Sequence, residues 1–223
     1  MPRHDKIILY HGSSAIIERP EFGVGRKTND YGLGFYLTES PQLAGEWAVL
    51  YTGIDGYINE YELYLDGMDI LDTDDVQLEN LIAVFINNRD INFIEDFADS
   101  AIFEILEAFV NKYNIDVNRY DLIRGIRAND RFYSYMRGFI TGVLSIESIA
   151  GFITLGDWGT QWCLKSEKAF GALNFIKWTA AESSLYYKSA QDRNKNAGEL
   201  YRKNRKSASG GKYIKDFVNG ENS

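Results

Sequence analysis

The chain is poor in the residues that build the commonest catalytic and cross-linked sites. Among its 223 residues are one cysteine, Cys163, two histidines, His4 and His11, and three prolines. A single cysteine excludes an intramolecular disulfide and agrees with a reducing, cytoplasmic setting. Two histidines and one cysteine are too few for the usual zinc ligand sets, so no metal site is expected. Cys163 sits in the strand-like run Gln161-Trp162-Cys163-Leu164-Lys165 and carries no nucleophile signature. The sequence holds no Gly-x-x-x-x-Gly-Lys phosphate loop and no Gly-x-Ser-x-Gly elbow. No apolar run reaches the ~18 residues of a membrane span. The opening Met1-Pro2-Arg3-His4-Asp5-Lys6 lacks the apolar stretch of a signal peptide. These absences predict a soluble, cytoplasmic protein with no membrane partner.

What is present suits a packed domain. Hydrophobic residues make up 45% and aromatics 14%, enough for a sizeable core. Net charge is −8 but unevenly placed: from Thr179 onward nine basic residues face five acidic ones. The rest of the chain is therefore strongly acidic, and its field repels bulk nucleic acid. The basic end reads as a partly helical, then disordered, solvated tail over residues 181–223. It is also the part best suited to phosphates.

The pattern along the chain alternates strands and helices. Lys6–His11 and Leu33–Thr38 read as strands, separated by a loop containing Pro20, Gly23 and Gly25. Ser40-Pro41 is a helix start, with Ser40 as N-cap and Pro41 at the first helical position. Leu43, Trp47, Leu50 and Tyr51 form that helix's apolar face. Tyr57–Leu65 alternates as a strand. Residues 74–114 read as a helical insert, with Asp74 or Asp75 as cap. Tyr120–Ala128 is a strand, and Asp130 is a candidate cap for the helix through Met136 and Ile140. Ser145 begins another helix. Gln161–Lys165 is a strand, Ser166 caps a short helix, and Asn174–Trp178 is a last strand. Strands at both ends with helices between predict an α+β fold.

Two strings carry the chemistry: Leu9-Tyr10-His11-Gly12-Ser13, and Asn29-Asp30-Tyr31-Gly32-Leu33-Gly34-Phe35-Tyr36-Leu37-Thr38. Each sets one special polar side chain, His11 or Tyr36, in an apolar β-prone run flanked by glycines. A strand exit of this kind brings backbone close to a ligand, since glycine has no Cβ to obstruct it. With no nucleophile at hand, such a site binds and positions a ligand. Cleavage of the nicotinamide–ribose bond of NAD fits it, because the leaving group is already cationic and needs no general acid. The demand is to hold both halves and to stabilise a spreading positive charge.

Together the strings resemble the first two signature strands of the ADP-ribosyltransferase superfamily, in its His-Tyr-Glu branch. They are most similar to an uncharacterised bacterial family there, related to toxins and toxin–antitoxin systems. The likeness spans residues 6–52 well and 120–178 loosely. It implies a split β-sheet catalytic core over residues 1–180, with the insert at about 74–114. It implies NAD as substrate, with His11 on the adenosine-side ribose, Gly12 on the carboxamide and Tyr36 stacked on the nicotinamide. Ser13, Arg26, Asp30 and Gly34 are further candidate NAD-binding residues, with Lys27 beside Arg26 as a second cation for the pyrophosphate. The superfamily places a glutamate on a later strand. Here the candidate is Gln161, with Asp130 as the competing acidic residue. A glutamate at position 161 is expected to stabilise the developing cation better than the amide does.

The resemblance implies an NAD-dependent ADP-ribosyltransferase that modifies one site on a macromolecular acceptor, protein or nucleic acid. An antitoxin protein is a candidate partner. Two other readings stand beside it: a catalytically silent NAD- or nucleotide-binding module, and an aromatic-rich interaction domain whose basic tail contacts nucleic acid.

Overall fold

The computed structural model describes residues 5–50, 53–89, 101–128, 132–153, 157–204 and 210–218. The architecture is α+β, built on one seven-stranded sheet. The strands are β1 (Lys6–Ser13), β2 (Phe35–Thr38), β3 (Gly56–Tyr64), β4 (Ile70–Asp72), β5 (Leu122–Ile126), β6 (Thr160–Leu164) and β7 (Leu173–Ala181). Their order is β4-β5-β6-β2-β1-β3-β7. Only β4 and β5 run parallel; every other neighbouring pair is antiparallel.

Local sequence explains most of these elements. Helix α1 (Pro41–Val49) starts as its cap chemistry dictates: the Ser40 hydroxyl accepts from Leu43 N, and Pro41 takes the first turn, where its missing N–H costs nothing. Ser166 caps α6 (Glu167–Gly171) in the same way, accepting from Ala169 N. Asp74 and Asp75 do not cap a helix. They lie in a single 3₁₀ turn capped by Asp72, and α2 (Leu78–Asn88) begins after Gln77 with no side-chain cap. Strand β4 escapes sequence reading because three residues are too short to show alternation.

Each face of the sheet buries its own apolar layer. On one, Leu9, Leu37, Tyr61, Leu63, Trp162 and Leu164 pack with Ala169 of α6. On the other, Leu71, Ile123 and Cys163 meet five helices: α2, α3 (Ala101–Tyr113), α4 (Phe132–Ile140), α5 (Ile146–Ile153) and α8 (Ile214–Val218). The segment read as an insert thus supplies α2 and α3 to this larger of the two layers. Removing apolar surface of this extent from water is the main stabilising term of the fold.

The end of the chain differs from the solvated tail expected. Ser183–Asn204 forms helix α7, which packs on α1. Ala190 and Ala197 are buried, and the Tyr186 ring occupies the space above Gly45. Arg193 clasps Glu46 of α1 in a two-pronged ion pair, Nε to Oε2 at 2.8 Å and Nη2 to Oε1 at 3.1 Å. Farther on, Ile214 and Phe217 enter the helical layer. Net positive charge concealed this packing, because the apolar contacts are few and widely spaced in an otherwise polar stretch. The expected disorder around Ser207 and Ser209 falls outside the described residues.

Candidate functional site

The sheet is split where β1 and β2 should pair. They share one position, Tyr10 opposite Thr38, whereas β1 is paired with β3 along all eight of its residues. Beyond Tyr10 the two strands part. There the His11 ring replaces the ladder, with Nδ1 2.7 Å from Tyr36 O. A carbonyl oxygen can only accept, so Nδ1 carries the proton and donates it. In the neutral ring Nε2 is then an acceptor. Burial pushes the His11 pKa below its ordinary value, favouring this neutral form. The ring also lies against Phe35, with centroids 4.4 Å apart.

A cleft of about 720 Å³ opens along this split, within the size range of small-molecule pockets. It brings together the residues that the sequence singled out: His11, Gly12, Ser13, Arg26, Asp30, Gly34, Tyr36 and Gln161 all border it. Lys27 does not, and Asp130 lies outside the described residues. Other bordering residues were not singled out as site residues, among them Trp47 from α1, Arg89 after α2 and Arg127 after β5. No motif marks any of the three as a ligand contact.

Tyr36 is held rigidly. Its hydroxyl donates to Gly32 O at 2.6 Å and accepts from Tyr31 N at 3.1 Å. Burial raises its pKa well above the usual phenol value, so it stays neutral. Lys165 fixes the same turn from below, donating Nζ–H to Tyr31 O and Leu33 O at 2.7 and 2.6 Å. Gly32 adopts a φ of 73°, a left-handed turn that glycine enters without strain. Cys163 is fully buried, and desolvation pushes its thiol up to about 12, which removes it as a nucleophile.

Asp30 lies in the turn closed by Gly32 N on Asn29 O, and its carboxylate is a buried junction. Its Oδ2 accepts from Ala128 N at 3.0 Å and from Gln161 Nε2 at 2.7 Å, and its Oδ1 lies 2.5 Å from Arg89 Nε. Arg89 also donates to Ala128 O at 3.2 Å. Arg127 lies over two indoles, 4.7 Å from the Trp47 ring centre and 4.8 Å from that of Trp158. Such cation–π contacts orient a guanidinium while leaving its rim for hydrogen bonds. With Arg26 and Arg89 it sets three cations around the cleft against the carboxylates of Glu21 and Asp30.

The glycines owe their place to packing as much as to any ligand. A Cβ on Gly12 would collide with Ala44 O and lie 2.9 Å from Ala48 N, so this glycine lets α1 cross β1 closely. A Cβ on Gly34 would meet the Cys163 sulfur and, at 2.7 Å, Leu164 O. Gly12→Ala is accordingly expected to displace α1 and lower stability by about 1–3 kcal/mol. An unchanged melting temperature would remove the packing explanation.

No curated protein and no solved structure matches the chain. Residues 7–175, which contain the split, both signature strings and Gln161, match the family of proteins of unknown function DUF3990. That match covers most of the chain, and the protein therefore belongs to the DUF3990 family.

Proposed function

We propose that the cleft binds NAD and that the protein is an ADP-ribosyltransferase acting on a macromolecular acceptor, in the manner of a bacterial toxin or defence enzyme. The observation that supports this most is the convergence of His11, Tyr36 and Gln161 on one cleft at a split in the sheet. These residues come from β1, β2 and β6, the strands the resemblance assigns to the three signature positions.

The chemistry follows from the side chains. His11 Nε2 accepts a ribose hydroxyl. Tyr36, immobilised through its hydroxyl, gives the cationic nicotinamide an aromatic surface, worth about 0.5–2 kcal/mol. Arg26 and Arg127 meet the pyrophosphate. The nicotinamide–ribose bond breaks with both electrons leaving on nicotinamide, which departs neutral. The ribose carbon passes through an oxocarbenium-like transition state. An acceptor nucleophile forms the new bond to that carbon and loses its proton to solvent. The products are nicotinamide, a proton and the ADP-ribosylated acceptor. A binding-only module is the second reading, favoured by the amide at position 161 where the superfamily has a carboxylate.

The test is incubation with NAD and a cell lysate, following nicotinamide release and transfer of label. Release with transfer is expected; tight binding without release would establish the second reading. Tyr36→Ala should slow turnover at least tenfold, about 1.4 kcal/mol in the barrier. Wild-type turnover in a folded variant would remove the stacking role. His11→Ala should weaken NAD affinity more than it slows the bound reaction. The lowered His11 pKa also sets a pH dependence. Affinity follows the folded-state pKa, which lies below the ordinary 6.5, so NAD affinity should stay flat through pH 6.5 and fall only at more acid pH, where the folded ring protonates. Affinity rising with acid would contradict the acceptor role of Nε2.

A further inference from the structure

The hydrogen bonds behind Gln161 define what this wall of the cleft offers a ligand. The residue is only 3% exposed. Its Nε2 lies 2.7 Å from Asp30 Oδ2 and 3.1 Å from Ile126 O. Both neighbours are acceptors, so the amide nitrogen must face them, and both of its hydrogens are used. Turning the amide over would aim carbonyl lone pairs at a carboxylate and a carbonyl. Asp30 cannot yield, because Ala128 N and Arg89 hold it from two further directions. The Tyr31 hydroxyl also meets the Gln161 amide, but its proton goes to Ile126 O at 2.9 Å, so it is one more acceptor for Nε2, and Oε1 is the atom left for the cleft.

We propose that Asp30 and Arg89 form a positioning pair that locks Gln161 with its carbonyl oxygen toward the cleft. This creates a hydroxyl-accepting subsite built for an amide and not for a carboxylate. The identity of the hydroxyl, one of the diol on the nicotinamide-side ribose, rests on the NAD reading; the lock itself does not. Two acceptors converge on the place where Nε2 sits. An amide satisfies both with its two hydrogens. A carboxylate satisfies neither, and a carboxylic acid satisfies one. The glutamine is therefore the residue this pocket requires. Gln161→Glu, far from improving the site as the resemblance implies, places a second carboxylate against Asp30 and forces the pair to share a proton. The folded-state pKa of the introduced acid is then raised, so its protonated form is the one compatible with the fold. The deficit is absent at low pH and grows as pH rises through that pKa.

The experiment compares the full-length wild type and Gln161→Glu in affinity for NAD and for its analogue lacking the 2′-hydroxyl on the nicotinamide-side ribose. Calorimetry at pH 5 and pH 8 is paired with melting curves. The wild type should prefer NAD about tenfold at both pH values. Gln161→Glu should lose that preference at pH 8, regain part of it at pH 5, and melt further below wild type at pH 8 than at pH 5. Asp30→Ala should lose the preference, while Asp30→Asn, which keeps an oxygen for Gln161 and Ala128, should retain it; a purely structural Asp30 would leave the preference unchanged in any variant that folds. Gln161→Glu behaving as wild type at pH 8 would overturn the lock. If the wild type binds no NAD, the NAD reading fails, and the melting curves alone decide the lock: a wider gap at pH 8 supports it and an equal gap overturns it.

Discussion

Asp30→Ala is expected to lower folding stability by about 3–5 kcal/mol, because it removes one partner of a buried ion pair and leaves the other charge uncompensated. Asp30 is 4% exposed and the Arg89 side chain 11%, so solvent offers the guanidinium little relief. The same substitution strips acceptors from Ala128 N and from Gln161 Nε2. An unsatisfied buried donor costs about 1–3 kcal/mol on its own, which keeps the total near the upper end of the range. Denaturant unfolding checks this through the shift in midpoint at constant slope. A loss under about 1 kcal/mol would mean that the junction relaxes or fills with water, and it would remove Asp30 as the support of the cleft wall.

Deleting everything after Ala190 should be comparably damaging. The sequence alone predicts a solvated tail, but the deletion removes Arg193 from Glu46, which is 1% exposed. Gln42 still donates to Glu46 at 3.2 Å, so among the described residues the stranded carboxylate keeps one neutral partner and no cation. The deletion also takes Phe217 and Ile214 out of the helical layer, where Phe217 packs edge-on to Phe109 and Tyr113. Loss of a buried phenylalanine costs about 3–5 kcal/mol, and a buried charge deprived of its partner about as much. Those losses approach the whole stability of an ordinary domain. The truncated chain is thus expected to melt at least ten degrees below the full chain or not to fold at all, by circular dichroism. Arg193→Ala isolates the ion pair, and Phe217→Ala the packing. A truncated chain with unchanged melting would show that α7 and α8 only rest on the body.

The parts of the site that the sequence disclosed are those whose signals are local. His11 and Tyr36 stand out because each is the one unusual side chain in a short apolar strand. Ser40-Pro41 and Ser166 announce helix starts because a cap bonds an amide three residues away. Gly12 was legible as a close approach, and a Cβ there would collide with the Ala44 carbonyl of α1. Local pattern shows that room is needed, and only packing shows for what. Arg89 and Arg127 could not be read at all. Each follows a helix or a strand without a motif, and each acquires meaning from residues at least 30 positions away: Asp30 and Ala128 for one, Trp47 and Trp158 for the other. The tail misled because its net charge is plain from composition, while its anchors are single residues spaced along α7 and α8.

By itself the sequence determined the α+β class, the strands and helices with strong local periodicity, and the two strings that meet at the cleft. It did so because alternation, capping and glycine placement act within a few residues. Only the tertiary structure decided that β1 and β2 separate after one shared position, that Asp30 is a buried junction, and that Gln161 turns its amide nitrogen to Asp30 and Ile126 O. Those facts depend on which acceptors and cations the fold gathers around one atom from strands and helices far apart in the chain. Burial then makes each such contact obligatory, because a polar group removed from water must find its partner inside.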